Sequence, residues 1–559
     1  MEDLIASTLS QELKIPHLVA RFLVSRGIRN AVDANRMLSC SKEDILSPWG
    51  ILGMDKAVRW LLDVFEKREK IFIFGDYDLD GMSSVTLLTK ALQEIGMETE
   101  WRLPNRFGDG YGLSNSAVDE MHEAGARYVI TVDTGITANA EIAYAKTLGM
   151  SVLVIDHHQP SGDGLPPCDV LLDPHQEGDT YLNPELCGVG VSYKFICALF
   201  EKLSIPVPEK YLDLVALGTL ADLVQMTPEN RVFTKSGLAR LQKSEWPGIQ
   251  ALYSSLMKPH SAVGGIDVMF KIAPLLNAPG RMEKPDPALK LLLCDDKKEA
   301  PNLLAELKDW NSRRKEKEAE ITEAAMEQVR QVYGENIPKV LVVAGENWHV
   351  GVIGIVSAKL AQEFSRPAAV LSIMDGMAHA SARAVPGFNW HKALFEARDM
   401  FDRWGGHANA AGFSLEASRI DELRKRFEAS AAEQGFTGEA PVEEPHSYDI
   451  EVALGELYVD ESHTVLDYFD RMEPFGGNFP YPQLKASGIT VHKLRELRGG
   501  HLQMEISQAG SPSFSAIAFG LRKCKNLLGK NHSASIIFEP TWNYYNGRRS
   551  LQLCIKAIE

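Results

Sequence analysis

Between Ile71 and Ile155 short apolar runs alternate with stretches of helical periodicity, and this alternation limits the fold more than any other feature of the chain. Ile71-Phe72-Ile73-Phe74, Tyr128-Val129-Ile130-Thr131-Val132 and Ser151-Val152-Leu153-Val154-Ile155 are nearly continuous apolar runs, the pattern of strands buried on both faces. Glu98 to Leu103 reads as a further strand, and Ser84 to Ile95 as a crossover helix. Strands alternating with helices of about 10–15 residues are βαβ units, so an α/β domain with a parallel doubly wound sheet is predicted for residues 51–240. A chain of 559 residues exceeds what one hydrophobic core organises, and the remainder divides by pattern. Residues 1–50 read as an N-terminal helical segment, from the helical spacing around Leu18 to Leu23. Residues 241–335 read as a connecting helical region ending in Glu299 to Tyr333, which is dense in Glu, Lys and Arg and predicts one long helix. Residues 336–435 repeat the strand–helix–strand pattern as a smaller α/β domain. Residues 448–559 hold several short alternating segments, the pattern of a small β-barrel.

Charge separates the last part from the rest. The net charge of −16 argues against a protein that coats nucleic acid, though not against local basic grooves. Residues 433–473 carry twelve acids and one base, whereas residues 484–559 carry eleven bases against four acids. This asymmetry predicts a linker followed by a C-terminal module with its own partner. The seven cysteines lack any CxxC pair, which excludes a disulfide framework and a thiolate zinc site. No run approaches the roughly 18 apolar residues of a membrane helix, and the acidic Met1-Glu2-Asp3 start predicts a cytoplasmic protein with no membrane partner.

The first strand runs into Gly75-Asp76-Tyr77-Asp78-Leu79-Asp80-Gly81. Read as extended chain, the three aspartates project to one side, and like charges so close repel unless cations sit among them. The later strands end in Val132-Asp133-Thr134-Gly135 and in Ile155-Asp156-His157-His158. Ligands of open α/β sheets bind beyond the carboxyl ends of the strands, where all three clusters fall. Carboxylates with imidazole and no thiolate suit Mn²⁺ or Mg²⁺. Their number suffices for two ions sharing one aspartate, an arrangement that activates water and stabilises a leaving oxygen.

These motifs, in this order, resemble the DHH phosphoesterase superfamily. Ala216-Leu217-Gly218-Thr219-Leu220-Ala221-Asp222 is similar to its fourth motif. Ser381-Ala382-Arg383 with Gly405-Gly406-His407-Ala408-Asn409-Ala410-Ala411-Gly412 is similar to its DHHA1 substrate-binding lobe. Leu276-Asn277-Ala278-Pro279-Gly280-Arg281-Met282 and the C-terminal extension resemble its bacterial single-stranded-DNA-specific exonucleases. The resemblance implies 5′→3′ hydrolysis with release of mononucleotides, two ions of Mn²⁺ or Mg²⁺, and a place in recombination and repair. It implies Asp80, Asp133, His157 and Asp222 as ligands of one ion. Asp76, Asp78 and Asp133 surround the second, with Asp133 as the bridge; it leaves open which of Asp76 and Asp78 touches metal. Asp156 and His158 stand behind the ligands in the catalytic centre, orienting His157 and the phosphate.

For the substrate, the resemblance implies that Arg281, Ser381 and Arg383 hold the 5′ phosphate, and a guanidinium fork suits a phosphate bidentately. Arg281 and Asn277 share a Gly/Pro/Asn-rich loop. Two glycines before His407 permit close approach of substrate. Arg106 and Tyr111, in a Gly-rich loop, offer a cation and a stacking face. In the tail Trp542, Tyr544 and Arg549, together with Lys493, Arg495, Arg498, Arg522, Lys523 and Lys525, read as a single-strand binder; the resemblance implies an oligonucleotide-binding (OB) barrel. It further implies a monomer that meets single-stranded DNA, a single-strand-binding protein and a RecQ-type helicase. The alternative enzyme is a relative acting on short oligonucleotides (nano-RNA), cyclic dinucleotides or pyrophosphate, which needs no basic β-module. The alternative outside catalysis is a dead scaffold, which the complete set of metal positions disfavours. Every proposed ligand precedes Glu229, so the segment after about residue 448 is expected to be dispensable for the chemical step.

Overall fold

Three sheets organise the computed structural model, which describes all residues except 105–111, 163, 208, 258–262, 335, 439–446, 477–478, 498–499, 523, 526–533 and 546–547. The first contains β1 (Ile71–Gly75), β2 (Thr99–Arg102), β3 (Tyr128–Val132), β4 (Ser151–Ile155) and β5 (Val170–Leu172). All its pairings are parallel, in the order β2-β1-β3-β4-β5. Chain order reverses between β1 and β3, and such a reversal opens a crevice at the carboxyl ends of the two strands. Buried helices Leu79–Glu94, Gly188–Lys202 and Leu212–Ala221 share one core with the inner faces of these strands.

One departure from the sequence reading lies at β1. The strand ends at Gly75, and Asp78 caps the helix Leu79–Glu94: its carboxylate accepts from the N–H groups of Asp80 and Gly81. An Asp at this position satisfies two otherwise orphaned donors of the first turn. Asp80 therefore lies within a helical turn, and the three aspartates are not a row on one strand.

The helix Ala300–Tyr333 runs for 34 residues, about 50 Å at 1.5 Å per residue. Leu304 and Leu307 at its start pack into the first core, and Ile321, Ala325 and Val329 near its end pack beneath the second sheet. That sheet contains β6 (Leu341–Glu346), β7 (Ala368–Met374), β8 (Met377–Arg383), β9 (Arg403–Gly406) and β10 (Ala410–Glu416), in the order β6-β7-β8-β10-β9. Only β6 and β7 are parallel, joined through the helix Val350–Phe364.

The third sheet contains β11 (Ile450–Glu451), β12 (Leu484–Leu497), β13 (His501–Ser507), β14 (Phe514–Ala518), β15 (Ala534–Tyr545) and β16 (Arg548–Ile558). A pairing of β12 with β15 closes it into a barrel. The N-terminal helices Glu2–Leu13, His17–Ser25 and Ala31–Ser39 have no core of their own; their apolar faces complete that of the barrel. Phe22 meets Phe469 and Phe479 edge-on, with ring centroids 5.4 and 5.9 Å apart. Arg26 grips Asp449 with both arms of its guanidinium. This body is tied to the first unit by Arg231, a buried side chain whose guanidinium donates to the carbonyls of Pro474, Met472 and Met37. Among the described residues no helix is long and apolar enough to cross a membrane.

Candidate metal centre

The crevice between β1 and β3 collects the acidic clusters. Asp76 follows β1, Asp133 follows β3 and Asp156 follows β4; all three are at most 3% exposed. Asp222 caps the C-terminus of the helix Leu212–Ala221. Asp133 takes a left-handed backbone conformation, φ 58°, which Asp tolerates better than most residues. Three groups bring ligand atoms within 4.8 Å of one another: Asp80, His157 and Asp222; Asp76, Asp78 and Asp133; and Asp133, His157 and His158. His157 Nε2 lies 3.1 Å from Asp133 Oδ1, 3.6 Å from Asp222 Oδ2 and 3.9 Å from Asp80 Oδ2. Asp133 thus stands between the two aspartate groups. His158, which the resemblance places behind the ligands, falls in the third group as well.

Asp76 Oδ1, Asp133 Oδ1 and His157 Nε2 are buried with no hydrogen-bond partner. Buried polar atoms are nearly always satisfied, and three orphaned Lewis bases converging on one crevice fit divalent cations. The proton equilibria agree. Burial, and then the charge of Asp78, pushes Asp76 up to about 8. Burial and the neighbouring carboxylates hold Asp80 and Asp133 well above the ordinary range. Burial and then His158 hold His157 below the usual imidazole value, leaving it neutral as a ligand must be. Asp156 and His158 are the exception. Burial opposes both charges, yet the 2.7 Å contact between them holds Asp156 low and pushes His158 up to about 9. The pair is a carboxylate and an imidazolium, further fixed by the N–H groups of Ile136 and His157.

A pH-dependent metal effect follows. The folded metal-free protein keeps protons on Asp76, Asp80 and Asp133 that the unfolded chain releases above about pH 4. Asp76 therefore costs stability progressively between about pH 4 and pH 8, Asp80 and Asp133 add to that cost as the pH rises above about 4, and a cation that displaces the protons removes it. Mn²⁺ should raise the melting temperature more at pH 8 than at pH 6, with proton release on binding. Thermal unfolding with and without Mn²⁺ across that range checks it; a metal-induced shift indifferent to pH would contradict the protonated apo state.

Two glycines shape the centre, and sequence reasoning assigned neither a role. The helix Gly188–Lys202 aims its N-terminus at Asp80, with Gly188 N–H at 2.6 Å and Val189 N–H at 3.0 Å from its two oxygens. A methyl group on Gly188 would lie 2.7 Å from Asp133 Oδ1, and one on Gly218 would lie 2.4 Å from Asp80 Oδ1. Cys187-Gly188-Val189-Gly190, glycines opening a helix, was the available signal. Asp173 was missed too, because β5 is only three residues long. It is fully buried beyond that strand, and burial with the charge of Asp156 pushes it up to about 8.

The expected substrate residues are distributed as follows. Arg281 lies in a short helix, Ala278–Met282, rather than a loop, and Asn277 directly precedes it with a buried Oδ1 that has no partner. Ser381 and Arg383 lie on β8, and Arg383 Nη1 donates to Ser381 Oγ at 3.2 Å. His407 is exposed; Gly406 before it (φ 131°) serves the β9–β10 hairpin, since any side chain there would strike the carbonyl oxygen of Ala410. Arg106 and Tyr111 lie outside the described residues, as do Arg498 and Lys523 in the tail. Several of the tail's other predicted contact residues have partners at the surface. Trp542 Nε1 donates to Asp470, Arg549 stacks on Trp542 at 4.4 Å while bridging to Asp467, and Lys493, Arg522 and Lys525 pair with Glu505 or Glu496. The end of the acidic stretch, at Asp467 and Asp470, is therefore packed against the barrel. Tyr544 stays 48% exposed.

A parallel sheet with carboxylates and imidazole at its switch point, facing a smaller glycine-rich lobe, defines a metal-dependent phosphoesterase of the DHH class. Family models agree: "DHH family, N-terminal domain" matches residues 70–219, "DHHA1 domain" residues 338–433 and "RecJ OB domain" residues 448–557. The chain belongs to the RecJ family. It is 35% identical over 555 residues to the single-stranded-DNA-specific exonuclease RecJ of Bacillus subtilis, covering 98% of this chain and 69% of that protein. It is 31% identical to the RecJ of Escherichia coli, covering 98% and 96%. The crystal structure of RecJ in complex with Mn²⁺ from Thermus thermophilus superposes with a TM-score of 0.81 at 26% identity, over 99% of this chain and 77% of that one.

Proposed function

We propose that the protein degrades single-stranded DNA from the 5′ end, releasing mononucleotides by phosphodiester hydrolysis at two Mn²⁺ or Mg²⁺ ions, in recombination and repair. The observation that carries this is the convergence of Asp76 Oδ1, Asp133 Oδ1 and His157 Nε2, buried and orphaned, at the β1/β3 switch point. Asp80, Asp133, His157 and Asp222 would hold one ion, and Asp76, Asp78 and Asp133 would surround the other. When bound, the ions supply a nucleophilic water at neutral pH and offset charge on the phosphoryl oxygens. The side chains position. The N-terminus of Gly188–Lys202 fixes Asp80, the imidazolium of His158 adds a cation beside the scissile phosphate, and Asp156 holds that ring in place. Arg281, Ser381 and Arg383 take the terminal phosphate, with Asn277 and His407 beside the strand and Arg106 and Tyr111 along its path. The barrel holds the strand beyond, and a monomer delivered by a single-strand-binding protein and a RecQ-type helicase completes the reading. The barrel favours it over a nano-RNA or cyclic-dinucleotide phosphodiesterase, which needs no third module.

The test compares single strands of DNA and RNA, labelled at either end, with 5′-phosphate or 5′-hydroxyl termini. Wild-type protein should shorten DNA from the 5′ end in Mn²⁺ and be inert in EDTA. Arg383→Ala should lose about 10- to 150-fold in kcat/KM on 5′-phosphate strands and less on 5′-hydroxyl strands, as one charge-assisted contact of roughly 1.5–3 kcal/mol requires. Equal losses on the two termini would reduce Arg383 to a structural part.

A further inference from the structure

The residues proposed to grip the terminal phosphate come from different parts of the chain, and one helix face gathers them. Gly351 and Gly354, at i and i+3 in the helix Val350–Phe364, lie on the same side. A methyl group on Gly354 would lie 2.9 Å from Ser381 Oγ and 3.3 Å from Arg383 Nη2. One on Gly351 would lie 1.7 Å from the carbonyl oxygen of Arg281, a backbone contact that only glycine admits. His349, the N-cap of this helix, closes the junction. Its Nδ1 accepts from Gly351 N–H at 3.2 Å, so Nε2 carries the ring proton and donates to the carbonyl of Met282 at 3.1 Å. On its other side the short helix Ala278–Met282 lies next to the metal centre: a methyl group on Gly280 would be in van der Waals contact, 3.5 Å, with the carbonyl oxygen of Tyr77, between Asp76 and Asp78.

We propose that His349 and Gly351 are positioning residues that lock Arg281 across the seam between the two lobes. The distance from the terminal-phosphate grip to the metal centre is then set by the wedge Ala278–Met282, which lies next to Tyr77 and is bonded to His349. The inference rests on the end-binding role of Arg281 and Arg383 proposed above. Neither His349 nor Gly351 need touch substrate; each acts through the backbone of Arg281 and Met282.

The test separates capping from locking. Asn is a good N-cap, so His349→Asn keeps the start of the helix but is too short to reach Met282. Gly351→Ala pushes the backbone of Arg281 away while retaining the His349 side chain. With Mn²⁺ and full-length protein, the preference for 5′-phosphate over 5′-hydroxyl strands, as a ratio of kcat/KM values, should fall by roughly 10-fold or more in His349→Asn, the scale of a small misplacement of a positioning group. The Mn²⁺-induced rise in melting temperature should remain. A helix-start role alone would lower both kcat/KM values equally and leave the ratio at the wild-type value. That outcome, alongside an Arg383→Ala variant that has lost the preference, overturns the lock but not the grip. An Arg383→Ala variant that keeps the preference overturns the grip, and the lock with it. If Gly351→Ala does not fold, His349→Asn carries the test by itself.

Discussion

Replacing Asp133 by Asn should abolish cleavage while single-strand binding in EDTA stays within a few-fold of wild type. Asp133 Oδ1 is one of the orphaned buried ligand atoms, 3.1 Å from His157 Nε2, and the carboxylate stands in two of the three ligand groups. Losing the proposed shared ligand should remove both cations, and with them several kcal/mol of charge stabilisation in the transition state, about 10³-fold or more in turnover. Asn suits the test better than Ala. It tolerates the left-handed backbone, fills the same space beside Gly188, and mimics the protonated acid that the metal-free site already favours. The variant should fold as well as the wild-type apoprotein. Retention of even a tenth of wild-type turnover in Mn²⁺ would remove the bridging role.

A chain ended at Gly435 should fail for a reason unrelated to chemistry. Leu18, Val19, Phe22 and Leu23 are at most 2% exposed because Leu466, Phe469, Phe479 and the barrel interior cover them. Each fully buried apolar side chain contributes about 1.5–3 kcal/mol, against a total stability of about 5–15 kcal/mol for a domain. Stripped of the barrel, the N-terminal helices should unfold, aggregate or be trimmed by protease to about residue 40. Deleting them as well should restore a monodisperse protein, since Leu46 and Trp49 pack against the first core and Leu46 N–H is held by Glu229. Residues 41–435 should then cleave in Mn²⁺ with weakened grip on long strands. Size-exclusion chromatography, limited proteolysis and cleavage assays on both chains decide it. A protease-resistant N-terminus in the 1–435 chain would show that the helices hold a core by themselves. The tail should therefore be dispensable for the chemical step only when the N-terminal helices leave with it.

Local signals determined four of the five strands of the first sheet and the candidate ligands at their ends. Continuous apolar runs require strands buried on both faces, and carboxylates at strand ends can gather only where a parallel sheet opens. The same holds for the long helix Ala300–Tyr333, whose uninterrupted helix-forming sequence needs no partner to be read. What the tertiary structure decided depends on close approach between distant segments. That Asp78 would cap a helix, that Gly188 and Gly218 leave room for Asp133 and Asp80, and that Gly351 admits the backbone of Arg281 are facts about missing side chains, which carry no pattern along the chain. The pairing of Arg549 and Trp542 with Asp467 and Asp470 was equally hidden, because composition counts charges and cannot say which of them face each other. The union of the first forty residues with the last hundred has the same cause. Each element shows an apolar face, and only the folded chain determines that the two faces bury one another.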